Sequence, residues 1–210
     1  LPRPLADLPV CADPDRDDID AAAARADRLI VVGTQADLAA VLTRLMRTER
    51  LHVELAHVHG GPLTSRLRAR RARTRPARRI PLVRDETGVA IVGSAEWHPE
   101  SSGKPLHGEG IVDDTVLFDG DVSRVRIEPI PLMPGLRAAV LSDRGRPVRW
   151  VIGRAAQLGT TGARVVRDGV VGPRTVRRSV FYRHTEGWLQ VRYAGFQDGA
   201  KVYFGLTEAD

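Results

Sequence analysis

Residues 28–46 read RLIVVGTQADLAAVLTRLM, and the fold turns on how this stretch is read. Arg28 to Val32 has strand character and ends in a single glycine, Gly33, and a helical pattern starts within three residues. Leu38, Val41, Leu42, Leu45 and Met46 follow the i, i+3, i+4, i+7, i+8 spacing of a helix with one buried face. A strand, a glycine turn and a helix N-terminus make a place where backbone N–H groups can meet phosphate. Close approach needs glycines, because side chains crowd the anion and resist the required dihedrals. Only Gly33 is present in this turn. Thr34 and Asp37 stand instead in the Ser/Thr-x-x-acid relation of a capping box, which predicts a helix that satisfies its own free donors. Asp37 would also bring negative charge to the place a phosphate needs.

Outward from this stretch, LPVCA (8–12) reads as a short buried strand, DPDRDDIDAAAARA (13–26) as a helix with Pro14 in its first turn, and HVELAHV (52–58) as a third strand. Strand, helix, strand, helix, strand predicts an α/β Rossmann-like lobe over 1–60 with right-handed crossovers. From Ile80 the period changes to two. Turn signals stand at DETG (85–88), DG (119–120), DRGRP (143–147), DG (168–169), EG (186–187) and DG (198–199). Between them GVAIVGSAEW, VSRVRIEPI, RAAVLS, RTVRRSVFYRH, WLQVRY and KVYFGL fit strands. Residues 80–210 therefore read as a mostly antiparallel β-sandwich lobe or a curled sheet.

The chain has 210 residues, 42% of them apolar, enough for a packed core. No run approaches the roughly 18 apolar residues of a membrane span, so no transmembrane segment is expected. LPRPLADLPV lacks the basic-then-apolar order of a signal peptide, and a cytoplasmic location follows as the expectation. A lone cysteine, Cys11, excludes an internal disulfide framework and is read as a small core residue. The net charge of +6 is local, since eight arginines fall between Arg66 and Arg79. Residues 61–79 read as an arginine-rich linker that is either simply solvated or serves a lipid surface, nucleic acid or another anionic partner.

Other polar groups admit two readings each. His57 and His59 have strand-end spacing that a metal can use, or are a satisfied or solvent-facing pair. His98 and His107 flank a Gly/Ser loop that can bring them near one another. No Gly-x-Ser-x-Gly elbow is present. Asp113, Asp114, Asp119 and Asp121, with Glu109 nearby, form an acidic group that is either a polar hairpin tip or a magnesium and general-base site. Asp119 and Asp121 are the stronger candidates because they sit at an Asp-Gly-acid turn. Trp97, Trp150 and Trp188 read as core or strand-face residues.

The order of an α/β lobe and then a β lobe, with DRLIVVGTQADLAAVL at the glycine turn, resembles the diacylglycerol kinase and NAD kinase superfamily over about Leu8 to Val58. In that family the strand is followed by approximately Gly-Gly-Asp-Gly-Thr and a helix. Gly33 matches the first glycine, while Thr34, Gln35, Ala36 and Asp37 replace the rest. LFDGDVSRVRIEP (117–129) is more loosely similar to a strand of the second lobe. The resemblance implies ATP and Mg2+ as cofactors and transfer of the γ-phosphate to a lipid or small-molecule hydroxyl. Gly33, Thr34 and Gln35 would lie at the nucleotide, Asp119 or Asp121 would act as base, and Asp119 would hold the metal. The family's first strand ends in an Asn-Pro turn that this chain starts after, either by truncation or by loss, and its arginines follow the nucleotide loop, where they could line a phosphate pocket. The altered motif implies reduced or lost activity. The rival expectation is a non-enzymatic scaffold that holds an anionic partner through Arg66–Arg79.

Overall fold

A computed structural model of the chain describes residues 2–59, 62–101 and 103–191. In chain order it forms a 3-10 turn (Arg3–Leu5), α1 (Arg16–Ala23), β1 (Arg28–Val32), α2 (Gln35–Arg47), β2 (Glu54–Val58), α3 (Pro62–Thr74), β3 (Ala77–Ile80), β4 (Val83–Asp85) and β5 (Ala90–Ile91). Then follow β6 (Ala95–Pro99), β7 (Leu106–Val112), β8 (Thr115–Val122), β9 (Arg124–Pro129), β10 (Leu136–Leu141), β11 (Val151–Gly153), β12 (Ala155–Arg167), β13 (Val170–Arg183) and β14 (Trp188–Val191). The protein is mostly β, and the helices among the described residues lie in the first half.

A four-stranded sheet runs β1-β2-β14-β3, with β1, β2 and β14 parallel and β3 antiparallel to β14. α2 forms where its periodicity predicts and buries Leu38, Val41, Leu42, Leu45 and Met46 with Ile19 and Ala23 of α1 and with Trp188. α1 starts later than expected. Asp15 is its N-cap, accepting from Asp17 N and Asp18 N at 2.9 Å each, so Pro14 precedes the cap. LPVCA forms no strand, and Cys11 is exposed. Pro9 has no N–H to give to a ladder, and among the described residues the sheet edge beyond β1 stays unpaired. The place beside β2 is taken by β14, the first four residues of WLQVRY, which belongs to this sheet and not to the β lobe; residues 192–193 lie outside the described residues.

The expected linker is also structured. α3 packs Ala69 and Ala72, both fully buried, against Ala56, Val58, Val191 and Leu5. Arg28 donates to the carbonyls of Ala72 (2.9 Å) and Arg73 (2.7 Å), tying the C-terminal end of α3 to β1. Arginines swamp this pattern in the sequence, where the buried stripe consists of two alanines.

The second sheet runs β11-β10-β9-β6-β12-β13-β4-β5. It forks at β12, which pairs with β13 on one side and, on the other, with β7 through Ala156–Thr160 and with β6 through Ala163–Arg167. Instead of two separate sheets of a sandwich, one antiparallel sheet folds over so that β10 meets β8 and β12. Trp97, Phe181, Val125, Ile127, Leu136 and Leu158 fill the space between. The expected strand GVAIVGSAEW is broken over 92–94 into β5 and β6.

Asp119-Gly120-Asp121 is not a turn. It lies inside β8 opposite Glu109, Gly108 and His107 of β7, and the chain reverses instead at Asp113–Asp114. The reason lies across the ladder. A Cβ on Gly108 would collide with the Gly159 carbonyl, so a glycine there lets β7 pair closely with β12 on one side while it pairs with β8 on the other. KVYFGL and the 198–199 turn signal lie outside the described residues. Among those described, no helix is long and apolar enough to cross a membrane.

Candidate functional site

The carboxyl ends of β1 and β2 lie side by side, and α2 and α3 follow them. In open parallel sheets this edge is where ligands bind, with helix N-termini facing them. Two bonds pin the Gly33 turn to β2: Gly33 N donates to Val58 O at 3.1 Å, and His57 Nε2 donates to Gly33 O at 2.9 Å.

At the α2 N-terminus the capping box closes on itself. Thr34 N and Thr34 Oγ1 donate to Asp37 Oδ2 at 2.7 and 2.8 Å, and Thr34 Oγ1 accepts from Asp37 N at 3.2 Å. The carboxylate lies over Gly33, where a Cβ would strike Asp37 Oδ2. The bonds from the Thr34 N–H and hydroxyl hold its carboxyl below the ordinary carboxylate range, so it is ionised at neutral pH. Positive N-terminal dipole and free donors thus meet an anion supplied by the helix itself.

Gln35 points the other way. Its side-chain amide lies against Gly93, where a Cβ would collide with it. The Gly93 segment is organised by Asp168, whose carboxylate accepts from Val92 N (3.0 Å), Gly93 N (2.7 Å) and Ser94 N (3.0 Å). Burial pushes the Asp168 carboxyl up, against the pull of these N–H donors. In the sequence the Asp168–Gly169 pair reads only as a turn. The turn is real, but the aspartate also reaches back to carry the loop under Gln35.

His57 and His59 stack with centroids 4.8 Å apart and planes at 24°. Burial holds both imidazoles below their ordinary value, and for His59 the neighbouring Arg68 charge adds to it. Arg68 donates to the His59 carbonyl at 2.6 Å. His98 pairs with Glu96, and His107 with Asp121 Oδ1, each at 2.7 Å, so these two histidines take separate partners. Among the described residues no group of three or more His, Cys, Asp or Glu side chains is placed to hold a metal ion.

Asp119 and Asp121 are exposed on β8, and no hydrogen bond or ion pair among the described residues links them to Gly33, Thr34 or Gln35. A lone Asp119 offers Mg2+ one carboxylate, and such sites depend on substrate phosphates for the remaining ligands. With Asp37 at the α2 N-terminus, the residues present do not fit a triphosphate and its metal there. Trp97 and Trp188 are buried, and Trp150 lies under the Arg137 guanidinium at 4.1 Å.

No protein-family model and no curated protein matches the chain. Solved structures do. A protein of Bacillus anthracis str. Sterne assigned as a diacylglycerol kinase superposes with a TM-score of 0.67 at 13% identity, covering 87% of this chain and 84% of that one. A second diacylglycerol kinase structure from the same organism gives 0.64 at 12% identity, with coverage of 82% and 80%. An NAD kinase from Archaeoglobus fulgidus in complex with ATP gives 0.62 at 12% identity, with coverage of 92% and 88%. At such identities the likeness speaks for architecture alone, and by that measure this chain shares its fold with these diacylglycerol kinase and NAD kinase structures.

Proposed function

We propose that this is a diacylglycerol kinase-like protein whose Rossmann-like lobe keeps the nucleotide turn in altered form, with phosphoryl transfer reduced or lost. One observation carries the reading: the ionised Asp37 carboxylate lies over Gly33 and uses the donors of the α2 N-terminus. A phosphate oxygen about 4 Å from that carboxylate would be repelled by about 1–4 kcal/mol between bulk water and a protein surface. If Asp37 swung away, Gly33, Thr34 and Gln35 would be the residues lining a nucleotide. Isothermal titration with Mg-ATP tests this. The wild type is expected to bind more weakly than about 100 μM, near −5.5 kcal/mol, and Asp37→Ala to bind more tightly than wild type. Tight wild-type binding that collapses on Gly33→Val would overturn the reading.

A second reading has its own support. Arg68 and Arg73 of the arginine run are engaged with His59 O and Asp7, and Arg79 with Glu186. Arg66, Arg70, Arg75 and Arg78 are exposed and form no ion pair among the described residues. This surface suits a lipid or other anionic partner. Replacing these four by Ser is expected to abolish low-salt retention on heparin and anionic vesicles with little change in melting temperature. Unchanged retention would remove the reading.

A further inference from the structure

At the far end of α2 from Gly33, its last turn faces the β4–β5 turn and His184 across an open cleft of about 380 Å³. α2 has 13 residues, so about 20 Å separates this cleft from the Gly33 turn. Two guanidiniums converge in it. A Cβ on Gly88, at the β4–β5 turn, would lie 3.5 Å from Arg84 Nη1 and 3.7 Å from Arg47 Nη2. Neither arginine forms an ion pair among the described residues. Arg47 donates to the Thr87 carbonyl at 3.2 Å. Arg84 lies 4.8 Å over the Tyr182 ring, and its Nε–H is buried without an acceptor among the described residues.

The carboxylates nearby have other work. Asp85 is buried, accepts from Arg167 Nε at 2.6 Å and takes the Thr87 and Val89 N–H groups of the turn. Glu86, exposed and itself lining the cleft, accepts from Val180 N at 2.9 Å and sets one negative charge against the two guanidiniums. The partial negative charge of the α2 C-terminus offsets part of one guanidinium. What is left is a small net positive charge from Arg47 and Arg84 against Glu86, and room for a small oxyanion, whose geometry guanidinium groups match by paired N–H donors. Burial and the Arg84 charge keep the His184 imidazole below its ordinary value, with Glu186 acting the other way.

We propose that this cleft binds a phosphate monoester, with Arg47 and Arg84 as its charge partners and His184 as an adjacent donor. The phosphate comes from a soluble molecule or a lipid headgroup; the chemistry at the cleft is the same. The experiment is a titration of the full chain with glycerol phosphate, read from the His184 ring protons by NMR, beside flotation with vesicles containing phosphatidate. A saturable shift with glycerol phosphate, and a rise in the His184 pKa when bound, assigns a soluble source. Vesicle binding that needs Arg84, without a soluble shift, assigns a lipid. In either case Arg84→Gln and Arg47→Gln are expected to weaken binding at least tenfold while keeping the wild-type circular dichroism spectrum. Arg174→Gln, an equal change of charge on the exposed face of β13, is expected to leave binding within twofold. Absence of both signals, or equal loss with Arg174→Gln, would overturn the proposal.

Discussion

Asp168→Ala probes how the β12–β13 turn holds the β5–β6 segment, where Gly93 lies against Gln35 of α2. The carboxylate accepts three backbone N–H groups, from Val92, Gly93 and Ser94. Each buried donor left without a partner costs about 1–3 kcal/mol. Asp168 also has φ 46, a left-handed conformation that costs most L-residues about 1–2 kcal/mol but that aspartate and asparagine tolerate. Two effects act against the full sum. Removing the side chain relieves a buried charge, whose desolvation is the largest influence on this carboxyl. Water can also reach part of the opened loop. The net expectation is a loss of about 2–4 kcal/mol for Asp168→Ala, on the order of 5–15 °C in melting temperature for a chain of this size. Asp168→Asn keeps the backbone preference and one acceptor oxygen, so about half that loss is expected. Urea unfolding with both variants measures the difference. An alanine variant within about 0.5 kcal/mol of wild type, the ordinary range of a surface change, would refute the account, and so would an asparagine variant as damaging as alanine.

Two other outcomes follow from the same region. Thr34→Ala is expected to cost about 0.5–2 kcal/mol, the usual worth of an N-cap, measured by thermal melts. His57 titrates below its ordinary value when folded, so the unfolded chain takes up its proton first. Its contribution is therefore intact above about pH 6.5 and is lost progressively as pH falls below that. His57→Gln should flatten the stability profile between about pH 5 and 7, and a profile as steep as wild type would count against burial as the cause.

Local rules made the first lobe readable. The α2 stripe and the Thr34–Asp37 relation needed no knowledge of distant partners, because helix periodicity and capping are settled within a few residues. Where a choice depended on a remote strand, sequence reasoning failed. WLQVRY has strand character, but only the open place beside β2 sends it to the first sheet. Asp119-Gly120-Asp121 has the composition of a turn. It is held in the ladder by pairing residue for residue with Glu109, Gly108 and His107 of β7, a strand itself flanked by β12. α3 is hidden in the sequence because its contact face is built of Ala69 and Ala72 between arginines, a stripe too small to register as amphipathic. At the candidate site the Thr34–Asp37 capping relation was visible, whereas the place of Gln35 against Gly93 was not, and Asp168 acts across 74–76 residues of sequence and left only a turn signal.

Gly33 stands where a side chain would meet the Asp37 carboxylate. In a phosphate-binding turn, glycine clears space for the anion and frees the backbone to approach it. In this chain the space is taken by Asp37, whose Oδ2 a Cβ on Gly33 would strike. Glycine thus leaves room here for an anion that is a side chain. Because Oδ2 is the end of a movable group, Gly33→Ala would displace the carboxylate rather than the backbone, breaking the cap while still filling the space a phosphate needs. Asp37→Ala would clear that space and free the Thr34 N–H. The pair separates two meanings of the glycine: both weaken the helix, and only the aspartate change makes room for an anion at its N-terminus.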